Sequence, residues 1–157
     1  MQTLRGKISH LRASIDVSGG GGDSPVVTTH IQIFRIDGTP VKVESREPFM
    51  IDDGDTAMLA GLPQGTVFRA LAYRNESSGA SGDAGSSFRL WSGVAALAGA
   101  AFALFVFADP FFHHIPKVFA LAFAGFAFYN FHAYARIRAA ILLLQRGESE
   151  IARGGSG

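Results

Sequence analysis

The chain has no cysteine. Disulfides, thiol nucleophiles and cysteine-ligated zinc are thereby excluded, while the redox compartment is left open. Net charge is lacking too: 14 Lys and Arg against 13 Asp and Glu give +1. That balance supplies no basic footprint for non-specific nucleic-acid binding, so nucleic acid is not an expected partner. Between Leu90 and Ala135 charge almost vanishes, with only Asp109 and Lys117 in that stretch. The opening "MQTLRGKISHLRASIDVSGGGG" has no apolar run of signal-peptide length, because Arg5, Lys7, His10, Arg12 and Asp16 interrupt it. The N-terminal segment is therefore expected to stay in the cytoplasm.

Catalytic patterns are missing as well. The glycines at 19 to 22 are not followed by Lys and Ser or Thr, so they form no P-loop. Asp52, Asp53 and Asp55 cluster around Gly54 without the ligand spacing or terminal Glu of a calcium loop, which reads as a turn. No spacing ties a Ser to a His as nucleophile and base. The expectation is a non-enzymatic protein with no catalytic, cofactor-binding or metal-binding residues.

Two long apolar runs are present. "LWSGVAALAGAAFALFVFA", Leu90 to Ala108, is 19 residues without charge, and "VFALAFAGFAFYNFHAYA", Val118 to Ala135, is 18. A membrane-crossing helix needs about 20 apolar residues for a hydrocarbon core of about 30 Å. Neither run has the polar face a soluble helix requires. Ten of the 14 Phe lie between Phe102 and Phe131. The second helix is expected to run on through "RIRAAILLL" to about residue 144.

Between the runs lies "ADPFFHHIPK". Pro110 and Pro116 disfavour helix in the residues before them, so this piece is expected to be the tip of a transmembrane hairpin. Adjacent histidines share no face of a helix or strand, which makes His113 and His114 poor partners for one metal. Arg74 and Arg89 flank the first run and Arg136, Arg138, Arg146 and Arg153 follow the second, against Lys117 alone at the tip. The positive-inside rule then puts both termini in the cytoplasm, as in an integral protein of a bacterial inner membrane. Arg89, Trp91, Tyr134 and Arg136 are expected at one membrane interface, Phe111 and Phe112 at the other.

Residues 1–75 carry short strand-like runs between turn signals. Asp37-Gly38 between "VVTTHIQIFRI" and "VKVESR" is the clearest hairpin. About five strands and no helix are expected, with a bend in the first at Gly6. So few strands must close or be covered to avoid exposed edges, which predicts a small all-β barrel. "IDDGDTAMLAGLPQGTVFRALAY" resembles the turns and short strands of OB or SH3-like barrels. Phe34-Arg35 and Phe68-Arg69 fit either a strand-binding face or core aromatics with outward arginines, and the second is favoured. "NESSGASGDAGSS", residues 75–87, reads as a Gly/Ser linker, and 148–157 as a flexible tail ending in a GGSG that resembles an expression linker. The domain plan is thus a barrel at 1–75, a linker at 76–87, a hairpin at 88–147 and a tail.

The predicted fold class is an α+β membrane protein, an OB- or SH3-like barrel followed by a two-helix hairpin. Ala95, Gly99 and Ala103 repeat every four residues, as do Ala120 and Ala124, a spacing that favours close helix packing. Asn130 and His132 are polar residues inside the second run and need a partner or water. Self-association is expected through Ala95, Gly99 and Ala103, with Asn130 or His132 adding a polar contact. Expected partners are the lipid bilayer, further copies of the chain and a cytoplasmic protein bound by the barrel. The alternative expectation is a homo-oligomeric channel, with hairpins lining the pore and barrels forming a vestibule.

Overall fold

The computed structural model describes residues 1–18, 27–106 and 115–154. Six strands precede two helices: β1 (Gln2–Ser18), β2 (Val27–Ile36), β3 (Thr39–Ser45), β4 (Thr56–Gln64), β5 (Val67–Asn75), β6 (Ser81–Asp83), α1 (Ser86–Val106) and α2 (Ile115–Gly154). They form two compact units, one of residues 1–85 with 137–157 and one of residues 86–136.

In the first unit β1 to β5 close into a barrel. The strands run β3-β2-β1-β4-β5, and a parallel pairing of β3 with β5 joins the ends. β1 makes closure feasible because it is long enough to serve both halves, pairing with β4 over Gln2–Lys7 and with β2 over Ile8–Ser18. Its bend lies at a bulge between Ser9 and Arg12, where His10 takes φ 58°, and not at Gly6. Gly6 is small for another reason: a Cβ there would run into Asp37 and Ile36. The expected Asp-Gly hairpin is present, with Asp37 at φ 47° and Gly38 at φ 82° joining β2 to β3. Positive φ at both central residues suits the twist of the flanking strands.

The barrel interior is filled by Ile8, Phe34, Ile36, Val41, Val43, Leu59 and Phe68 with their neighbours. β4 is buried without alternation from Ala57 to Gly61, which means both of its faces are covered. Leu59 faces the interior, and Met58 and Ala60 pack with Ala72, Ala140 and Leu144. The C-terminal part of α2 thus supplies the cover for β4 and β5. This is the role of "RIRAAILLL", and the helix continues through residues 148–154, which the sequence assigns to a tail.

Residues 76–87 also depart from the linker expectation. Asn75 to Ala80 form a turn, in which the Asn75 N–H donates to the Ala80 carbonyl at 2.7 Å and the Gly79 N–H to the Asn75 carbonyl at 2.9 Å. β6 then pairs antiparallel with β5. Gly82 lies against the Tyr73 side chain, where an added Cβ would clash. Small residues permit this close layering, and their abundance is what reads as a linker in sequence.

In the second unit α1 and the first part of α2 are antiparallel neighbours, since Gly93 lies against Phe131 and Gly99 against Phe123. Both helices are long and apolar enough to cross a membrane. At 1.5 Å per residue, the 21 residues of α1 cover about 31 Å and the 40 of α2 about 60 Å.

Candidate functional site

The hairpin packs through its smallest residues. Gly93, Ala96 and Ala103 of α1 are buried, as are Ala120 and Ala127 of α2. A Cβ on Gly93 would meet the Phe131 ring at 3.1 Å, and one on Gly99 the Phe123 ring at 3.4 Å. Gly99 and Ala103 therefore face the other helix of the same hairpin, while Ala95 is exposed. The three residues do not share one outer surface. Of the second pair, Ala120 is buried and Ala124 exposed.

The structure also separates Asn130 from His132. Asn130 is 1% exposed, and its Nδ2 donates to the Phe126 carbonyl one turn back at 2.9 Å. Its Oδ1 has no hydrogen-bond partner among the described residues. His132 is exposed and stacks on Phe128, with centroids 6.3 Å apart. Asn130 thus belongs to the inside of the hairpin and His132 to its outside.

The remaining outer surface is strongly apolar, with Phe105 87%, Leu121 76% and Phe128 74% exposed. One end carries basic and aromatic residues. The Arg89 guanidinium lies over the Tyr129 ring, 5.6 Å from its centroid. Trp91 and Arg136 are exposed, and Tyr134 is half-buried. Cation–π contacts and amphipathic rings suit the level of lipid headgroups. The tip residues Phe111, Phe112, His113 and His114 lie outside the described residues.

The barrel has an open depression of about 490 Å³ beside the β3–β4 connection, lined by Phe49, Met50, Ile51, Asn75, Ser78 and Ala80. Asn75 organises it. This side chain is 1% exposed and uses both ends of its amide. Nδ2 donates to the Met50 carbonyl at 3.0 Å and to Asp55 Oδ2 at 2.6 Å. Oδ1 accepts from the Ser77 and Ser78 amides at 2.9 and 3.2 Å. The Tyr73 hydroxyl accepts from the Met50 amide at 3.3 Å, and the Tyr73 ring packs on Phe49. The sequence analysis assigns Asn75 no role beyond the start of the Gly/Ser-rich stretch. The usable signal was Asn followed by Glu-Ser-Ser-Gly, a turn in which Asn binds the backbone two residues on.

The acidic group behaves as a turn. Gly54 has φ 93°, Asp55 Oδ2 accepts from the Asp52 amide at 2.9 Å, and Asp53 Oδ1 accepts from the Leu11 amide at 3.2 Å. Phe34 and Phe68 are core residues, while Arg35 and Arg69 point out. Arg69 of β5 meets Glu44 of β3 at 3.0 Å across the closing seam, and Lys42 meets the same carboxylate at 2.6 Å. The hydrogen bond from Lys42, aided by Arg69 and opposed by partial burial, holds the Glu44 carboxyl below its ordinary range. No protein-family model, curated protein or solved structure matches the chain.

Proposed function

We propose that this chain is a non-enzymatic, membrane-anchored binding and scaffolding module of the bacterial inner-membrane type, which self-assembles through its own copies. The observation that carries the reading is the hairpin's surface: apolar side chains turned outward along both helices, with Arg89, Trp91, Tyr129 and Arg136 gathered toward one end. Water penalises such a surface by about 25 cal/mol per Å² of apolar area, and lipid does not. Arginines flank that end of both helices and only Lys117 lies near the other, which favours cytoplasmic termini. The barrel is read as OB-like, supported by its closure in the order β1-β2-β3-β5-β4 and by the long bent β1 shared between its halves. With Phe34 and Phe68 in the core, neither is available to stack on bases, and a cytoplasmic protein is the preferred partner of the barrel.

The test is cysteine labelling in the naturally cysteine-free chain. Phe112→Cys should react with an impermeant reagent from outside intact cells, and Ser78→Cys only after lysis. The reverse pattern rejects the topology, and extraction of the protein from membranes by alkaline carbonate rejects the anchor. A pore reading has one observation in its favour, the exposed imidazole of His132 on the outer face of a membrane-length helix. Conductance abolished by His132→Ala would select it over the anchor.

A further inference from the structure

We propose that the free edge of β1 pairs with the same edge of a second copy, in an antiparallel register centred on Ser14 that sets Arg12 of each chain opposite Asp16 of the other. The proposal rests on the self-assembly reading above and names the surface that performs it.

β1 leaves β4 after Lys7 but remains paired with β2 as far as Ser18. From Arg12 onward its pairing with β2 is regular, and its other edge pairs with no strand among the described residues. Alternate residues of this stretch turn both N–H and C=O toward that edge, leaving a ladder open to strand addition. Side chains alternate between the two faces as well. Ala13, Ile15 and Val17 lie on one face, and Ile15 and Val17 are 61% and 58% exposed. Arg12, Ser14 and Asp16 lie on the other face, all exposed, and neither charge has an ion-pair partner among the described residues.

A natural edge strand is usually blunted by proline, by a bulge or by charged side chains. Between Arg12 and Ser18 this edge has neither proline nor a bulge, and its two charges are opposite in sign and symmetric about Ser14. A twofold axis through Ser14 makes the segment self-complementary. Arg12 meets Asp16 twice, Ala13 meets Ile15 twice, and Ser14 meets itself, as an isologous contact requires. Shifting the centre to Ala13 or Ile15 loses both charge pairs. A few strand residues make a small contact, and confinement of both copies to one membrane raises their effective concentration.

Cross-linking in native membranes tests this. Paired residues on antiparallel strands have Cα atoms about 4.5–5.5 Å apart, within the 4.4–6.8 Å span of a disulfide. Ser14→Cys should therefore form a disulfide dimer under mild oxidation. Arg12→Cys should not, because the two copies of that residue would be four positions apart, about 14 Å at about 3.4 Å per residue. Adding Arg12→Asp to Ser14→Cys should lower the cross-linked fraction about tenfold as like charges meet. Adding Asp16→Arg as well should restore it. If Ser14→Cys fails to cross-link while the particle mass is that of an oligomer, the strand pairing is overturned and self-assembly stands. A monomeric particle overturns both. Cross-linking that ignores the charge reversal overturns the register.

Discussion

Replacing Asn75 with alanine removes four hydrogen bonds at once. Two are donated by Nδ2, to the Met50 carbonyl and the Asp55 carboxylate, and two are accepted by Oδ1 from Ser77 and Ser78. A neutral bond contributes about 0.5–1.5 kcal/mol and one to a charged group about 1.5–3. Simple addition gives about 3–7.5 kcal/mol, which overstates the loss. Ser77 and Ser78 are exposed and Asp55 is half-exposed, so water recovers part of what the variant loses. The expected cost of Asn75→Ala is about 2–4 kcal/mol. It should concentrate in the segment 49–55 and the turn 76–80, which Asn75 ties together. Hydrogen exchange reads this directly: about 1.4 kcal/mol is tenfold, so amides of Ser77 and Ser78 should exchange about 30- to 1000-fold faster. Ser78→Ala is the control. Among the described residues its hydroxyl accepts only a long 3.4 Å bond from the Ala80 amide, and exchange elsewhere should be unchanged. Less than a tenfold acceleration in Asn75→Ala would show that the side chain is not the organiser of this end of the barrel.

Three further outcomes follow from the packing. Leu144→Ala should cost about 2 kcal/mol by undercutting the contact with Met58, Ala60 and Ala72, seen as faster exchange in 137–147 with the hairpin unaffected. Gly93→Leu should overpack against Phe131 by about 1–3 kcal/mol and lower the heat resistance of the detergent-solubilised protein, whereas Gly125→Leu, with open space around it, should be tolerated. Equal effects at the two glycines would contradict the packing. Glu44 has a lowered carboxyl pKa, so its stabilisation is present above the ordinary carboxylate range and lost as pH falls through the lowered value. Glu44→Gln should flatten this acid limb of barrel stability by less than about 1 kcal/mol, because the Lys42 and Arg69 partners are at the surface.

Local order decided much of this architecture. Charge depletion from Leu90 to Ala135 marks two membrane-length helices because a helix satisfies its own backbone, and side-chain hydropathy alone then selects its solvent. Asp37-Gly38 sets the β2–β3 turn through backbone torsions that few other dipeptides adopt. Alternation put Phe34 and Phe68 inside and their arginines outside. What the sequence concealed depends on long-range contact. The Gly/Ser-rich 76–87 segment looks like a linker until the Tyr73 ring is placed against Gly82, where smallness serves packing and not freedom. Asn130 and His132 are two residues apart in one apolar run, yet one is sealed within the hairpin and the other exposed. The azimuth of each around the helix has meaning only once α1 is in place. "RIRAAILLL" reads equally as more membrane helix or as a soluble extension. Only the tertiary structure supplies the groove of β4 and β5 that buries Ala140 and Leu144, because hydropathy records how strongly a residue avoids water and not which surface will shelter it.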